Sequence, residues 1–283
     1  MKVAVMPNLT RAGTLDCSLA ICKKLEELNA DYFFEQGERE TFFKTGAKFL
    51  PEDELLSRCD IFIAVGGDGT VLHTAKKAIV YGKPVLGVNA GRLGFLAGLE
   101  PKEIDLIEKL FDGEYEIDRR MLLRASIKGE KEQGFEELCV NDAVIMGTSR
   151  GKPVELSISC NGRNLISYLA DALICSTPTG STAYSFSAGG PVVDSSLESI
   201  LITPVCAHSF FARPFVLNPL SRLEIKNIRD SDMLLMCDGA EAVSIPPGGC
   251  VFIEKADKTA DFIRIKSDTF ADVLRNKMAQ RNG

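Results

Sequence analysis

A short segment near residue 66 constrains the fold more than any other part of the sequence. The run 60–65, Asp-Ile-Phe-Ile-Ala-Val, is almost continuously apolar over the length of a strand, as in a parallel sheet that is buried on both faces. The loop Gly66-Gly67-Asp68-Gly69-Thr70 follows. Beyond it, apolar residues recur at helical spacing: Val71, Leu72, Ala75, Ala78 and Ile79. The segment therefore predicts a buried strand, a glycine-rich turn and a helix.

The composition of this loop indicates phosphate chemistry. Glycines let the backbone come close to a ligand, and the N–H groups at the start of a helix favour an anion. Asp68 would repel a phosphate unless it binds a metal or takes a proton from an attacking hydroxyl, so it favours phosphoryl transfer over simple binding. The alternative is a tight turn in which Asp68 caps the helix.

The hydrophobic pattern changes along the chain and predicts two domains. In the first part, strand-like runs (2–6, 61–65 and 84–88) alternate with helical patterns (through residues 19–28 and near 103–110), which is typical of a doubly wound parallel sheet. We expect this α/β domain at residues 1–118. Short strand-like runs from 119 to 266 predict a β-rich domain that includes one long run at 138–146. A helix over 269–280, within 267–283, is expected to dock on the first domain.

Composition narrows the classes of function. The formal net charge of −6 argues against a general nucleic-acid-binding protein. Neither a signal pattern nor an apolar run long enough to span a bilayer is present, so we expect a cytoplasmic protein without a membrane partner. Nine cysteines without a Cys-x-x-Cys pair predict buried, reduced thiols. With only two histidines, any metal is expected to be Mg²⁺ carried on nucleotide phosphates.

Three further segments could touch a ligand. The glycine-rich run 89–96 places Phe95 where it could face a flat ring, although a helix entry with a core phenylalanine is the alternative. The run 176–191 offers many hydroxyls, suited to a ribose or an adenine edge, and otherwise would be a flexible linker.

Asn141 and Asp142 lie inside the strand-like run 138–146 and need polar partners, for which ribose hydroxyls would serve. The alternative is a strand end or bulge satisfied by the backbone. Asp171 directly precedes a strand and can accept a hydrogen bond. His208 could touch a ligand, but a buried, hydrogen-bonded histidine is the favoured interpretation.

Taken in order, these motifs resemble the NAD kinase family over nearly the whole chain. They are Gly-Gly-Asp-Gly-Thr at 66–70, Asn-x-Gly-x-Leu-Gly-Phe-Leu at 89–96, Asn-acid at 141–142, Thr-Pro-Thr-Gly-Ser-Thr-Ala-Tyr at 177–184 and His-Ser-x-x-x-Arg-Pro at 208–214. The first motif alone is shared with diacylglycerol kinases, sphingosine kinases and, more loosely, phosphofructokinases.

The resemblance implies a Rossmann-like α/β domain of the phosphofructokinase and diacylglycerol kinase type, a β-sandwich-like C-terminal domain and NAD bound between them. It implies Mg²⁺-dependent transfer of the γ-phosphate of ATP, or of a phosphate from polyphosphate, to the 2′-hydroxyl of the NAD adenosine ribose, which makes NADP. A homo-oligomer, dimer or tetramer, is also implied.

The resemblance further implies roles for individual residues. Asp68 would be the general base, and Gly66, Gly67, Gly69 and Thr70 would shape the phosphate loop. The residues expected to bind NAD are Asp68, Gly69, Phe95, Asn141, Asp142, Asp171, Thr182, Ala183, Tyr184 and Ser187. His73, Arg92 and His208 are further candidates for ligand contact.

The sequence departs from the family pattern at four positions. Asp142 stands where the family usually has glutamate, Ala170 where it has serine, Ala172 where it has glycine, and Ala240 where it has glutamine. Because none of these removes the expected base, we expect activity with altered substrate affinity. A lipid or sugar hydroxyl kinase of the same superfamily and a non-catalytic dinucleotide sensor stay open as alternatives.

Overall fold

The computed structural model describes residues 1–91, 94–128, 134–148, 153–208 and 212–281. It divides into two compact units. The first comprises Met1–Arg119 together with Ala260–Gly283, and the second comprises Arg120–Thr259.

The first unit is built on a parallel sheet. Its strands are β1 (Lys2–Pro7), β2 (Asp31–Glu35), β3 (Lys48–Leu50), β4 (Ile61–Gly66) and β5 (Val85–Asn89). Its helices up to residue 119 are α1 (Thr14–Glu27), α2 (Arg39–Phe42), α3 (Glu52–Arg58), α4 (Asp68–Tyr81) and α5 (Glu108–Asp112), with 3₁₀ turns at Gln36–Glu38 and Pro101–Ile107. The strand order is β5-β4-β1-β2-β3, and all of these pairs are parallel. The order reverses between β1 and β4, as in doubly wound folds.

Strand β4 lies between β5 and β1 in this sheet, and every one of its residues is buried. Helix α4 covers it with small and β-branched side chains spaced three and four residues apart, so one face of the helix packs on the sheet. Gly82 ends the helix in the left-handed conformation, with φ of 61°, and its N–H reaches the carbonyl oxygens of the last turn. These contacts fix the glycine-rich turn that precedes α4.

The second unit consists almost entirely of strands. These are β6 (Glu116–Ile127), β7 (Phe135–Cys139), β8 (Asp142–Gly147), β9 (Val154–Cys160), β10 (Arg163–Ala170), β11 (Ala172–Ser176), β12 (Ile200–Val205), β13 (Phe215–Leu217), β14 (Leu223–Asn227), β15 (Met233–Cys237), β16 (Val243–Ile245) and β17 (Cys250–Arg264). A 3₁₀ turn at Thr179–Thr182 and the short helix α6 (Tyr184–Ser187) follow β11. Strands β6 and β17 continue across the limits of the two units.

Two sheets enclose the core of the second unit. Strands β13-β12-β11-β8-β15-β16 form one antiparallel sheet, and β10-β9-β14 with the first part of β17 form part of the other. Apolar residues of both, such as Ile145 and Leu173 from the first and Leu156 and Ile225 from the second, share one buried cluster. This is a sandwich-like arrangement. The predicted fold class, an α/β part followed by a β-rich part, is confirmed.

Some local predictions need correction. The helix expected near 103–110 is a 3₁₀ turn followed by the short α5. The single strand expected over 138–146 is broken, because β7 ends at Cys139 and β8 begins at Asp142. The C-terminal pattern does form a helix, α7 (Phe270–Arg281).

All nine cysteines are free and six of them are buried, as the sequence predicted. Within the part of the chain that the structure describes, every helix is too short or too polar to cross a membrane.

Candidate active site

The glycine-rich loop lies at the point where the strand order of the first unit reverses. Gly66 is the last residue of β4, and α4 begins at Asp68. In doubly wound sheets, ligands bind beyond the carboxyl ends of the strands at such a reversal. Gly67 is the residue before the helix, and no side chain caps the first turn. The alternative in which Asp68 is merely a helix cap is therefore wrong.

The Asp68 carboxylate is held by the second glycine-rich segment. Its Oδ2 accepts the backbone N–H of Phe95 at 2.9 Å, and its Oδ1 accepts that of Leu96 at 3.1 Å. A Cβ atom at Gly94 would overlap this carboxylate, so only glycine leaves room for it. The motifs at 66–70 and 89–96 thus meet at one carboxylate, and each of its oxygens keeps lone pairs for a further partner.

The other candidates in the first unit differ in their surroundings. Phe95 is half-buried, and the Lys277 ammonium of α7 lies 5.1 Å from the centre of its ring, a cation–π contact. His73 is exposed on α4, where desolvation of its ring and the nearby charge of Lys77 lower its pKa. Arg92 lies outside the described residues.

In the second unit, Asp238 organises the segment that carries Asn141 and Asp142. Its Oδ2 accepts the N–H of Val140 at 2.8 Å, and its Oδ1 accepts the N–H groups of Asn141 at 2.7 Å and Asp142 at 3.0 Å. Because these donors bond to a side chain, they leave the strand ladder, which explains the break between β7 and β8. Asn141 and Asp142 thus lie where one strand ends and the next begins, as the strand-end alternative expected, while the partners of their side chains stay a prediction.

The hydroxyl-rich loop is attached to the same segment. Thr177 donates its hydroxyl to the carbonyl of Val140 at 2.6 Å and its N–H to the carbonyl of Asn141 at 2.9 Å. A Cβ atom at Gly180 would overlap the backbone of Asn141. The linker interpretation of residues 176–191 is therefore wrong, since the loop is packed and bonded at its base.

This attachment leaves several expected site residues accessible. Tyr184 is 42% exposed, Ser187 is exposed, and Thr182 and Ala183 are half-buried. In contrast, Ser185 is buried and shares a hydrogen bond of 2.8 Å with Thr203. The loop thus turns Ser185 inward and leaves the Tyr184 and Ser187 side chains exposed.

Asp142 is a buried carboxyl group next to another carboxylate. It is only 5% exposed, and burial together with the charge of Asp238 raises its pKa to about 7. Burial, and to a smaller extent the charge of Asp142, raise the pKa of the neighbouring Cys175 thiol to about 12. Asp142 therefore exchanges a proton near neutral pH.

The structure does not bring all the candidates of the second unit together. Asp171 precedes β11, whereas the hydroxyl-rich loop follows it, and five residues of strand span about 17 Å. Asp171 lies near His208 instead, since the N–H of Asp171 bonds to Val205 and that of His208 bonds to Leu169. His208 is exposed, so its interpretation as a buried histidine is wrong.

Sequence reasoning missed Asp238 as the anchor of the segment at 140–142. The signal was available, because Asp238-Gly239 directly follows an apolar strand, but nothing in the sequence showed which donors the carboxylate would meet. It also missed Arg11, whose guanidinium lies against Gly67.

A fixed carboxylate in a glycine-rich loop, at the reversal point of a doubly wound sheet, is suited to phosphoryl transfer to a hydroxyl group, as in kinases. The model of the ATP-NAD kinase N-terminal domain matches residues 25–115, and that of the ATP-NAD kinase C-terminal domain matches residues 140–265. The chain belongs to the NAD kinase family.

Individual relatives agree with this assignment. An NAD kinase of Caldanaerobacter subterraneus is 34% identical and one of Chlorobium phaeovibrioides 36% identical, over 99% and 98% of both chains, respectively. Among solved structures, yeast NADH kinase complexed with NADH matches in fold with a TM-score of 0.90 and 23% identity, over 100% of this chain and 87% of that one. An NAD kinase from Archaeoglobus fulgidus in complex with ATP has a TM-score of 0.76 and 23% identity, over 100% and 99%.

Proposed function

We propose that this chain transfers the γ-phosphate of ATP to the 2′-hydroxyl of the adenosine ribose of NAD and so makes NADP. It is a member of the NAD kinase family along its full length. The observation that carries the proposal is the Asp68 carboxylate, fixed at the carboxyl end of β4 by two backbone N–H groups.

In this proposal Asp68 takes the proton from the 2′-hydroxyl as that oxygen attacks the γ-phosphorus, and ADP leaves as the bond from the γ-phosphorus to the β,γ-bridging oxygen breaks. The N–H groups of Phe95 and Leu96 fix the direction of the carboxylate, which reduces the freedom lost when substrate binds. Gly66, Gly67, Gly69 and Thr70 shape the loop that receives the donor phosphates, at the start of α4 where N–H groups have no partner within the helix.

The second unit supplies the residues proposed to recognise the dinucleotide. Asn141 and Asp142 would hold ribose hydroxyls, while Thr182, Ala183, Tyr184 and Ser187 would surround adenine. The exposure of the Tyr184 ring supports this role, because it leaves an apolar face for a base. Phe95 would lie beside the dinucleotide, and Asp171 would accept a hydrogen bond from the nicotinamide amide.

Mg²⁺ is proposed to arrive with ATP. Among the described residues, no three His, Cys, Asp or Glu side chains cluster as a metal site. Because Asp68 is proposed as the base, the oxygens expected to hold the ion are those of the ATP phosphates. When bound, the ion would neutralise charge on the phosphates. We further propose a cytoplasmic homo-oligomer, to be tested by cell fractionation and light scattering.

The direct test is NADP formation by purified protein with NAD, ATP and Mg²⁺. Asp68→Asn should lower kcat by about 10²–10⁴-fold, the usual contribution of a general base, while NAD binding stays within about twofold. Asp105→Asn is the matched control, because the Asp105 side chain is 90% exposed and lies on the 3₁₀ turn at Pro101–Ile107. Full activity of Asp68→Asn would refute the role of Asp68.

The same assay resolves the choice of donor and the alternatives. ATP, other nucleoside triphosphates and polyphosphate are compared in parallel, because the carboxylate and the loop do not distinguish among them. Phosphorylation of diacylglycerol or a sphingoid base without NADP formation would indicate a lipid kinase. Binding of NADP by calorimetry without any product after prolonged incubation would indicate a dinucleotide sensor.

A further inference from the structure

Arg11 lies in the loop after β1 and reaches the phosphate loop that follows β4. A Cβ atom built on Gly67 would overlap Nη1 of Arg11 and would lie 2.9 Å from its Cζ. The guanidinium therefore occupies the space that a side chain at position 67 would take. Gly67 itself has φ of −106° and ψ of −175°, which other residues adopt freely. The close contact at position 67 therefore comes from the end of the Arg11 side chain and not from backbone strain.

The loop that carries Arg11 is fastened to β4 and α4. The Asn8 N–H bonds to the carbonyl of Val65 at 2.9 Å, and the Asn8 side-chain amide bonds to Oγ1 of Thr70 at 3.3 Å. The N–H of Arg11 in turn bonds to the carbonyl of Asn8 at 3.2 Å, which closes a short turn. These bonds fix the backbone of Arg11 beside the phosphate loop, within reach of its guanidinium.

The charge of Arg11 is available to a ligand. The residue is exposed, and none of the ion pairs between described residues involves it. It projects from the end of β1, and Gly67 follows the end of β4, so the two lie on either side of the point where the strand order reverses. An arginine beside glycine N–H groups offers several donors to phosphate oxygens in a fixed fork.

From this geometry we propose that Arg11 binds the phosphates of the donor nucleoside triphosphate. This inference rests on the proposed kinase function and adds a residue that the family motifs of this sequence do not contain. The guanidinium holds the β- and γ-phosphate oxygens against Gly67, so that the γ-phosphorus stays in line with the hydroxyl that Asp68 deprotonates.

The test is steady-state kinetics with each substrate varied in turn. In Arg11→Ala we expect the KM for ATP to rise about tenfold or more, the size of a lost hydrogen bond between charged groups, while the KM for NAD changes less than about twofold. Arg11→Lys should recover part of the affinity for ATP, since lysine keeps the positive charge but lacks the paired N–H donors of the guanidinium. Arg58→Ala is the matched control, an exposed arginine of α3 that pairs with Glu54 of the same helix.

A second variant tests the position of the Arg11 guanidinium separately from its charge. Gly67→Ala displaces the guanidinium without removing it, so it should raise the KM for ATP in the wild-type background. In the Arg11→Ala background the same change should have a smaller effect, because the group that it displaces is absent. Fully additive effects of the two substitutions would contradict the proposed contact.

A direct binding measurement makes the inference independent of turnover. Inorganic tripolyphosphate with Mg²⁺ should inhibit competitively against ATP and raise the thermal stability of the unmodified protein, and both effects should weaken in Arg11→Ala. An unchanged KM for ATP in Arg11→Ala, or a rise in the KM for NAD alone, would overturn the inference. If the unmodified protein forms no NADP, the proposed function fails instead, and the tripolyphosphate comparison still decides on Arg11.

Discussion

Replacing Asp142 by asparagine should stabilise the protein at alkaline pH and leave it almost unchanged in acid. Asp142 is buried, and the carboxylate of Asp238 lies close to it, so burial and then like charge raise its pKa to about 7. In the unfolded chain the same group would titrate near its ordinary value of about 3.9. At a pH between these two pKa values, Asp142 is largely protonated in the folded protein and largely ionised in the unfolded chain, so the folded protein binds more protons.

The sign and size of the effect follow from this difference. Because the folded state holds the extra proton, the contribution of Asp142 to stability is present in acid and is lost as the pH rises towards 7. One pKa unit corresponds to about 1.4 kcal/mol, so the loss between pH 5 and pH 8 is about 3 kcal/mol. Asparagine resembles the protonated carboxyl in shape and stays neutral, so the variant escapes this loss.

Urea unfolding at pH 5, 6, 7 and 8 without nucleotide would measure the effect. The free energy of unfolding of Asp142→Asn minus that of the wild type should grow by about 3 kcal/mol across this range. Other groups with shifted pKa values, such as His73 and Glu26, titrate in both proteins and cancel in the difference. Asp230→Asn, at an exposed position, should show no such growth. A difference independent of pH would refute the reasoning.

Three further outcomes are expected. Gly94→Ala should lower kcat at least about tenfold with an unchanged circular dichroism spectrum, because the added methyl overlaps the Asp68 carboxylate; wild-type kcat would contradict the contact. Asp238→Asn should lower the free energy of unfolding by about 1–3 kcal/mol, since a carboxylate that accepts three N–H groups is replaced; equal urea midpoints would argue against that anchor. Removal of divalent ions with EDTA should abolish NADP formation and added Mg²⁺ should restore it, whereas activity in EDTA would exclude a role for Mg²⁺.

Much of the first unit could be predicted from the sequence because its signals are local. The apolar run at 61–65 and the helical spacing after Thr70 are properties of neighbouring residues, and both elements form as expected. The position of Asp68 also followed from sequence. The two groups that donate hydrogen bonds to it could not be predicted, because they are backbone N–H groups 27 and 28 residues away. Almost every type of residue carries such a group, so the sequence does not show which one is the donor.

The second unit was harder to predict for the same reason. The break in the run 138–146 is caused by Asp238, almost 100 residues later, which draws three N–H groups away from the strand. The separation of Asp171 from the hydroxyl-rich loop depends on which end of β11 each occupies. The expected limits of the domains and the roles of individual site residues stay predictions.

The way the chain passes between its two units has a consequence for synthesis in the cell. The first unit is not one continuous stretch, since it needs Ala260–Gly283 as well as Met1–Arg119. Phe262 pairs with Val85 at the edge of β5, and Ile263 belongs to the apolar core of that unit. While the ribosome translates the intervening 140 residues, Gly98 and Leu99 already bond to Gly87 and Asn89 of β5, but Val85, at the start of that strand, lacks its partner Phe262. Completion of the parallel sheet at the start of β5 therefore waits for residues 260–283, and a chain that stops short of them leaves that part of the edge unpaired, where chaperones and proteases can bind.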